Sequence, residues 1–157
     1  MAPYLIDGNN LIYALADAGR ELGREGLCKL LARLLDGRPV TTVFDGPPPP
    51  AQMVKQIEQT GVTVEYSSDR PADEVIIEHI QSNSAPRRLT VVSTDREIRQ
   101  AARRRRCICK TSQEFATLLE ELTNAPARRN RPEPPEKTDG LSGRHVDKWM
   151  KEFGYEE

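Results

Sequence analysis

Four separated acidic positions in this 157-residue chain fall where an α/β protein does chemistry. Asp7 directly follows the apolar run Tyr4-Leu5-Ile6, Asp45 follows Val40–Phe44, and Asp95 follows Leu89–Thr94. Asp73, with Glu74 beside it, opens the helical stretch just before the last of these runs. If the runs are parallel strands, side chains leaving their carboxyl ends gather along one edge, the edge at which open sheets bind ligands. Two carboxylates about 5 Å apart repel by roughly 3 kcal/mol at an effective dielectric of ~20, and several such pairs approach the ~5–15 kcal/mol stability of a domain. A cation among them removes that cost. Oxygen donors with no nearby His and no paired Cys favour Mg²⁺ or Mn²⁺ over zinc, and Mg²⁺ is held by one or two carboxylates together with substrate phosphate. Metal-assisted phosphoryl chemistry is the economical reading.

Each acid alone has an ordinary structural role. Asp7-Gly8-Asn9-Asn10 could cap the next helix, with Asn9 or Asn10 as N-cap, and Asp45-Gly46 before a proline run is a turn signal. Asp73 and Asp95 suit helix N-termini. Four such residues at matching strand and helix ends favour a site. His79 is expected to be a partly exposed helix residue and His145 inert. Cys107 and Cys109 lack a second Cys/His pair that would complete a zinc site, and Cys28 reads as core.

The elements that must position these acids alternate along the chain. Strands are expected at Tyr4–Ile6, Val40–Phe44, Val62–Tyr66, Leu89–Val92 and Cys107–Cys109. Helices are expected near Asn10–Ala18, Glu21–Leu35, Ala51–Gln59, Asp73–Ser82, Asp95–Arg104 and Ser112–Leu122. Alternation of this kind implies an α/β fold with a central parallel sheet covered on both faces. The apolar residues concentrate in 1–123, which we read as the domain. Pro126, Pro132, Pro134 and Pro135 mark a Pro/Arg-rich linker over 124–141. Val146, Trp149, Met150 and Phe153 fall on one face of a short amphipathic C-terminal helix within 142–157.

The formal net charge of −1 balances 23 Lys and Arg against 24 Asp and Glu, yet it conceals a strong asymmetry. Nine basic residues, Arg87, Arg88, Arg96, Arg99, Arg103, Arg104, Arg105, Arg106 and Lys110, crowd into one short segment that holds only Asp95 and Glu97 as acids. A polyanion is the natural partner. Arg96 and Arg99, one helical turn apart after Asp95, could place cations beside the acids, with Arg103 and Arg104 continuing the stripe. The plainer alternative is a solvated helix end for Arg103–Arg106. Only 5% of residues are aromatic, so base stacking is poorly provided for. No apolar run approaches the ~20 residues of a membrane span, and no basic-then-apolar leader is visible, so a soluble, cytoplasmic protein is expected.

In their order, Leu5-Ile6-Asp7-Gly8-Asn9-Asn10-Leu11-Ile12, Val43-Phe44-Asp45-Gly46, Ala72-Asp73-Glu74-Val75-Ile76 and Val91-Val92-Ser93-Thr94-Asp95 resemble the motifs of NYN-domain proteins, specifically the YacP-like branch. The resemblance covers roughly residues 3–122 and extends weakly to the terminal helix around Trp149. It implies a PIN-like three-layer α/β/α sandwich and a divalent-metal ribonuclease, acting in some relatives on messenger RNA at the ribosome. Carried over by position, it implies Asp7, Asp73 and Asp95 as metal-binding acids, Asn10 as the polar partner of the first, and Asp45 and Glu74 as supporting carboxylates. RNA is then the expected partner of Arg96, Arg99, Arg103 and Arg104. One departure stands out: relatives often place a glycine-bearing turn where this chain has Arg103-Arg104-Arg105-Arg106.

Hydrolysis of an RNA phosphodiester by water activated on Mg²⁺ or Mn²⁺ is the activity so implied, with no side-chain nucleophile required. The alternative is a catalytically idle RNA- or ribosome-binding module on the same fold. A haloacid-dehalogenase-like phosphatase is disfavoured because Asn9 stands where that chemistry needs a second Asp. A dinucleotide- or P-loop nucleotide-binding domain is disfavoured because neither glycine motif occurs.

Overall fold

The computed structural model describes residues 2–124. The expected linker and terminal helix lie outside the described residues.

The elements run β1 (Tyr4–Asp7), α1 (Gly8–Asp17), α2 (Arg24–Leu34), β2 (Val40–Phe44), α3 (Ala51–Glu58), β3 (Thr63–Tyr66), α4 (Ala72–Ser82), a 3₁₀ turn (Pro86–Arg88), β4 (Thr90–Val92), α5 (Arg96–Arg104), β5 (Ile108–Lys110) and α6 (Ser112–Asn124). All strand pairings are parallel, in the order β3-β2-β1-β4-β5. The fold is therefore α/β, as the alternation of elements implies. Boundaries shift by one to three residues at most strands and helices, and Val40–Phe44 stands as expected. The 3₁₀ turn was not expected.

Burial on both faces follows from period-two alternation in the central strands. Tyr4 and Ile6 of β1, Val40 and Phe44 of β2 and Val92 of β4 enter one core with Leu11 and Leu15 of α1, Leu27 and Leu31 of α2, Ile57 of α3 and Phe115 and Leu119 of α6. Leu5, Val43 and Val91 point the other way, onto Val75, Ile76 and Ile80 of α4 and Ile98, Ala101 and Ala102 of α5. Ile76, Ile80 and Ile98 are completely buried, which fixes α4 and α5 against the sheet. Gly8 permits a close approach of α1 to β2: a Cβ there would lie 2.4 Å from Cε1 of Phe44 and 2.8 Å from Cγ2 of Thr42.

The strand order sets where a ligand can go. From β1 the chain builds outward through β2 to β3, then crosses back to place β4 on the opposite side of β1. The carboxyl ends of β1 and β4 therefore flank a topological switch point, where α-helices diverge to opposite sides and leave a crevice.

Candidate metal centre

Asp7 ends β1 and is itself the N-cap of α1, a role the sequence reading had given to Asn9 or Asn10. Its Oδ1 accepts a long hydrogen bond from the Asn10 amide (3.4 Å), and its Oδ2 accepts from the Ser93 hydroxyl (3.0 Å). Ser93, fully buried just beyond β4, also accepts from the amide of Asp95 (3.0 Å). One hydroxyl thus ties the two acids at the switch point together. Asp95 caps α5, its Oδ1 accepting from the amides of Glu97 (2.9 Å) and Ile98 (3.1 Å). Its second carboxylate oxygen is not used in the cap.

Asp73 enters from the first turn of α4, across the same crevice. Ligand atoms of Asp73, Asp95 and Glu97 all lie within 4.8 Å of one another. Oδ1 of Asp73 is buried and has no hydrogen-bond partner among the described residues. No ion pair among the described residues involves any of these three: the pairs formed are Arg20–Glu120, Lys29–Glu25, Arg70–Glu78 and His79–Glu65. Burial pushes the Asp7 carboxyl above its ordinary range, with repulsion from Asp95 and Asp73 acting in the same direction and the Ser93 hydrogen bond opposing it. An orphaned carboxylate oxygen, uncompensated like charges and an all-oxygen donor set together fit a hard divalent cation.

Asn10 forms a second hub. Its Oδ1 accepts from the Thr94 amide (3.0 Å) and the Ser112 hydroxyl (2.5 Å), binding the ends of α1, β4 and α6. With Oδ1 thus fixed, the Nδ2 donors are left for something else. Asn9 Oδ1 accepts from the Asp45 amide (2.8 Å), while Arg24 donates through Nη2 to the Asp45 carbonyl (2.8 Å) and lies 5.2 Å over the Phe44 ring. Asp45 Oδ1 accepts from the Ser67 hydroxyl (3.2 Å) and the Ala72 amide (3.1 Å). The Asp45 carboxylate thereby holds the start of α4, and so the position of Asp73. Asp7, Asp45 and the exposed Glu74 stand outside the close acidic group of Asp73, Asp95 and Glu97, and Asp7 is coupled to it through repulsion from Asp95 and Asp73.

Glu97, Ser93, Thr94, Ser112 and Asn9 escaped the sequence reading. Glu97 sits two residues after a helix-capping acid, a spacing that could have pointed to it. The other four act through partners 18 to 102 residues distant, which no local pattern reveals.

The arginines divide. Arg96 opens α5 at the carboxyl edge, and Arg99, half-buried with an unpartnered Nε, follows one turn later. Arg103 and Arg104 are exposed at the other end of α5, about 12 Å farther along at 1.5 Å per residue. The thiols lie outside the acidic group: Cys28 and Cys107 are buried, and burial pushes them up to about 12 and about 11, so both stay protonated near neutrality. Cys109, half-buried, is also raised by burial.

Comparison with known proteins agrees with this architecture. No curated protein matches the sequence. Solved structures do match in fold, among them two of Rae1 (YacP) from Bacillus subtilis. The chain is 24% identical to one, with a TM-score of 0.61, 96% of this chain and 94% of that chain covered. It is 20% identical to the other, a tryptophan-to-leucine variant, with a TM-score of 0.62 and coverages of 98% and 92%. The model of the YacP-like NYN domain matches residues 4–153, nearly the whole sequence. The match indicates a nuclease-like, RNA-related fold, and the chain belongs to the YacP-like NYN domain family.

Proposed function

We propose that this protein is a divalent-metal-dependent endoribonuclease that hydrolyses RNA phosphodiester bonds. The observation that carries the reading is the buried, unpartnered Oδ1 of Asp73 within 4.8 Å of ligand atoms of Asp95 and Glu97. Asp73, Asp95 and Glu97 would hold Mg²⁺ or Mn²⁺, with Asp7 alongside. Such an ion, when bound, supplies Lewis-acid polarisation of a phosphate oxygen and acidifies a water.

The chain's own groups do the rest. Asp7 Oδ1, engaged only by the long Asn10 bond, is the oxygen of that residue most open to the site. The Nδ2 donors of Asn10, its Oδ1 being committed to Thr94 and Ser112, are suited to orient a phosphate oxygen. Arg96 and Arg99 offset the charge of the incoming backbone. Water attacks phosphorus, the P–O3′ bond breaks, and the product carries a 5′-phosphate. Messenger RNA at the ribosome is the setting that the family resemblance implies.

The test is cleavage of a single-stranded RNA in Mg²⁺ or Mn²⁺, with and without ribosomes. Asp7→Asn and Asp73→Asn should each lower the rate by ~10²-fold or more. Undiminished cleavage by both variants, or no cleavage by the wild type in either condition, would replace the enzyme with an RNA-binding module.

A further inference from the structure

We propose that the opposite, amino edge of the sheet is a second RNA-docking surface, where Arg87, Arg88, Arg104 and Arg106 grip the phosphate backbone of folded, base-paired RNA. It rests on the nuclease reading only for the partner being RNA.

The topology brings these residues together. The 3₁₀ turn carrying Arg87 and Arg88 leads into the amino end of β4, and Arg106 leads into the amino end of β5. The two strands pair there: the amide of Ile108 donates to the carbonyl of Leu89 (2.9 Å), and Thr90 is in register with Ile108. Arg104 ends α5, which returns from the acidic edge to this one.

Arg105 makes the platform rigid. Its Nη1 donates to the carbonyls of Ile80 (2.8 Å), Gln81 (2.9 Å) and Asn83 (2.8 Å), closing the open end of α4. Its four neighbours are different. Arg87, Arg88, Arg104 and Arg106 are exposed, and none forms an ion pair with a carboxylate among the described residues. Arg106 adopts a positive φ of 65°, a backbone state that a non-glycine residue rarely occupies. Four unneutralised guanidinium groups on one fixed edge call for a multivalent anion.

Which polyanion follows from the stretch of sequence that carries them. Residues 81–110 contain no Phe, Tyr or Trp. Recognition of unpaired bases depends on stacking against such rings, whereas paired RNA is held through its backbone and shape. The acids at the carboxyl edge lie at the far end of α5, too distant to share one phosphate with this cluster. Paired RNA docked here would leave a single-stranded extension to reach the acidic crevice.

The experiment measures binding of the full chain to a labelled ~16-base-pair RNA duplex in EDTA, by anisotropy across 50–200 mM salt. The comparison is Arg87→Gln/Arg88→Gln/Arg106→Gln, with circular dichroism to verify its fold. The triple variant should bind at least tenfold more weakly near 100 mM salt, and its slope of log K against log[salt] should shrink by about 2–3. Cleavage of a trinucleotide, too short to reach both edges, should be unchanged. Equal duplex binding by both proteins would overturn the proposal. So would absence of duplex binding by the wild type, which would leave an acidic protein as the partner, or a loss confined to single-stranded RNA. Because binding is read without metal, a protein that cleaves nothing would sink the nuclease reading and still decide this one.

Discussion

Asp7 shows how a single carboxyl can be both a structural cap and a source of instability. Burial, and repulsion from Asp95 and Asp73, raise its pKa in the folded chain, so the native state holds that proton more tightly than the unfolded state does. The sign follows from linkage: the charged form weakens the metal-free protein at every pH above the raised value, and the penalty vanishes below the ordinary 3.8. In EDTA at pH 7, Asp7→Asn should therefore be more stable than wild type by roughly 0.5–2 kcal/mol, the range typical of relieving a functional site. The difference should fade as the pH drops towards 3.5. Urea titrations at the two pH values would measure it, and a difference independent of pH would show that the carboxyl is not destabilised by burial. Glu97 carries a companion prediction. If it completes the donor set, Glu97→Gln should weaken Mn²⁺ binding about tenfold or more, read as a smaller rise in melting temperature at fixed Mn²⁺. The placement of Asp7, Asp73 and Asp95 at one edge was legible because a carboxylate directly after a strand, or at the start of a helix, has a predictable address. Glu97 was not, since a glutamate in the first turn of a helix ordinarily just complements its dipole. Ser93 and Ser112 were hidden for a further reason: their meaning resides in Asp7 and Asn10, 86 and 102 residues away.

At the level of elements, the site depends on how closely α1 approaches β2 and on which way α5 runs. Gly8 has no room for a methyl group against Phe44 and Thr42, and it lies between the cap residue Asp7 and the Asn9 side chain that holds the Asp45 amide. Gly8→Ala should cost about 1–3 kcal/mol through forced displacement of a fully buried ring. It should also reduce cleavage, because the same displacement disturbs the Asn9–Asp45 link. An unchanged urea midpoint would mean that Phe44 yields freely. The direction of α5 is the more general lesson. Its apolar face was readable from Ile98, Ala101 and Ala102, and the basic stripe was readable as well. What the stripe could not disclose is that a helix returning from the carboxyl to the amino edge carries Arg96 and Arg103 to opposite ends of α5. Nor could composition distinguish Arg105, which closes the end of α4, from the exposed arginines on either side. That difference arises only when α4 and α5 pack together.

For the whole molecule, the decisive property is that residues 2–124 place helices over both faces of the sheet. The α1, α2, α3 and α6 side encloses Tyr4, Ile6, Phe44 and Phe115, while α4 and α5 enclose Leu5, Val43 and Val91. Among the described residues the only large exposed hydrophobic side chains are Tyr13 and Met53. Two scattered side chains do not form the extended apolar patch that a missing layer would leave behind. The expected domain boundary at residue 123 rests on a fall in apolar content, since a core needs such residues and a linker does not. It follows that a fragment ending at Asn124 should fold cooperatively. Its melting temperature should lie within about 3 °C of the full chain's, equivalent to less than about 1 kcal/mol for a domain of this size. Its Mn²⁺-induced stabilisation should be retained as well, since Asp7, Asp73, Asp95 and Glu97 all lie within it. Calorimetry of both proteins with and without Mn²⁺ provides the measurement. A broad, non-cooperative transition in the fragment would show that residues 125–157 are needed to complete the core, and loss of the metal response alone would show that they contribute to the acidic centre.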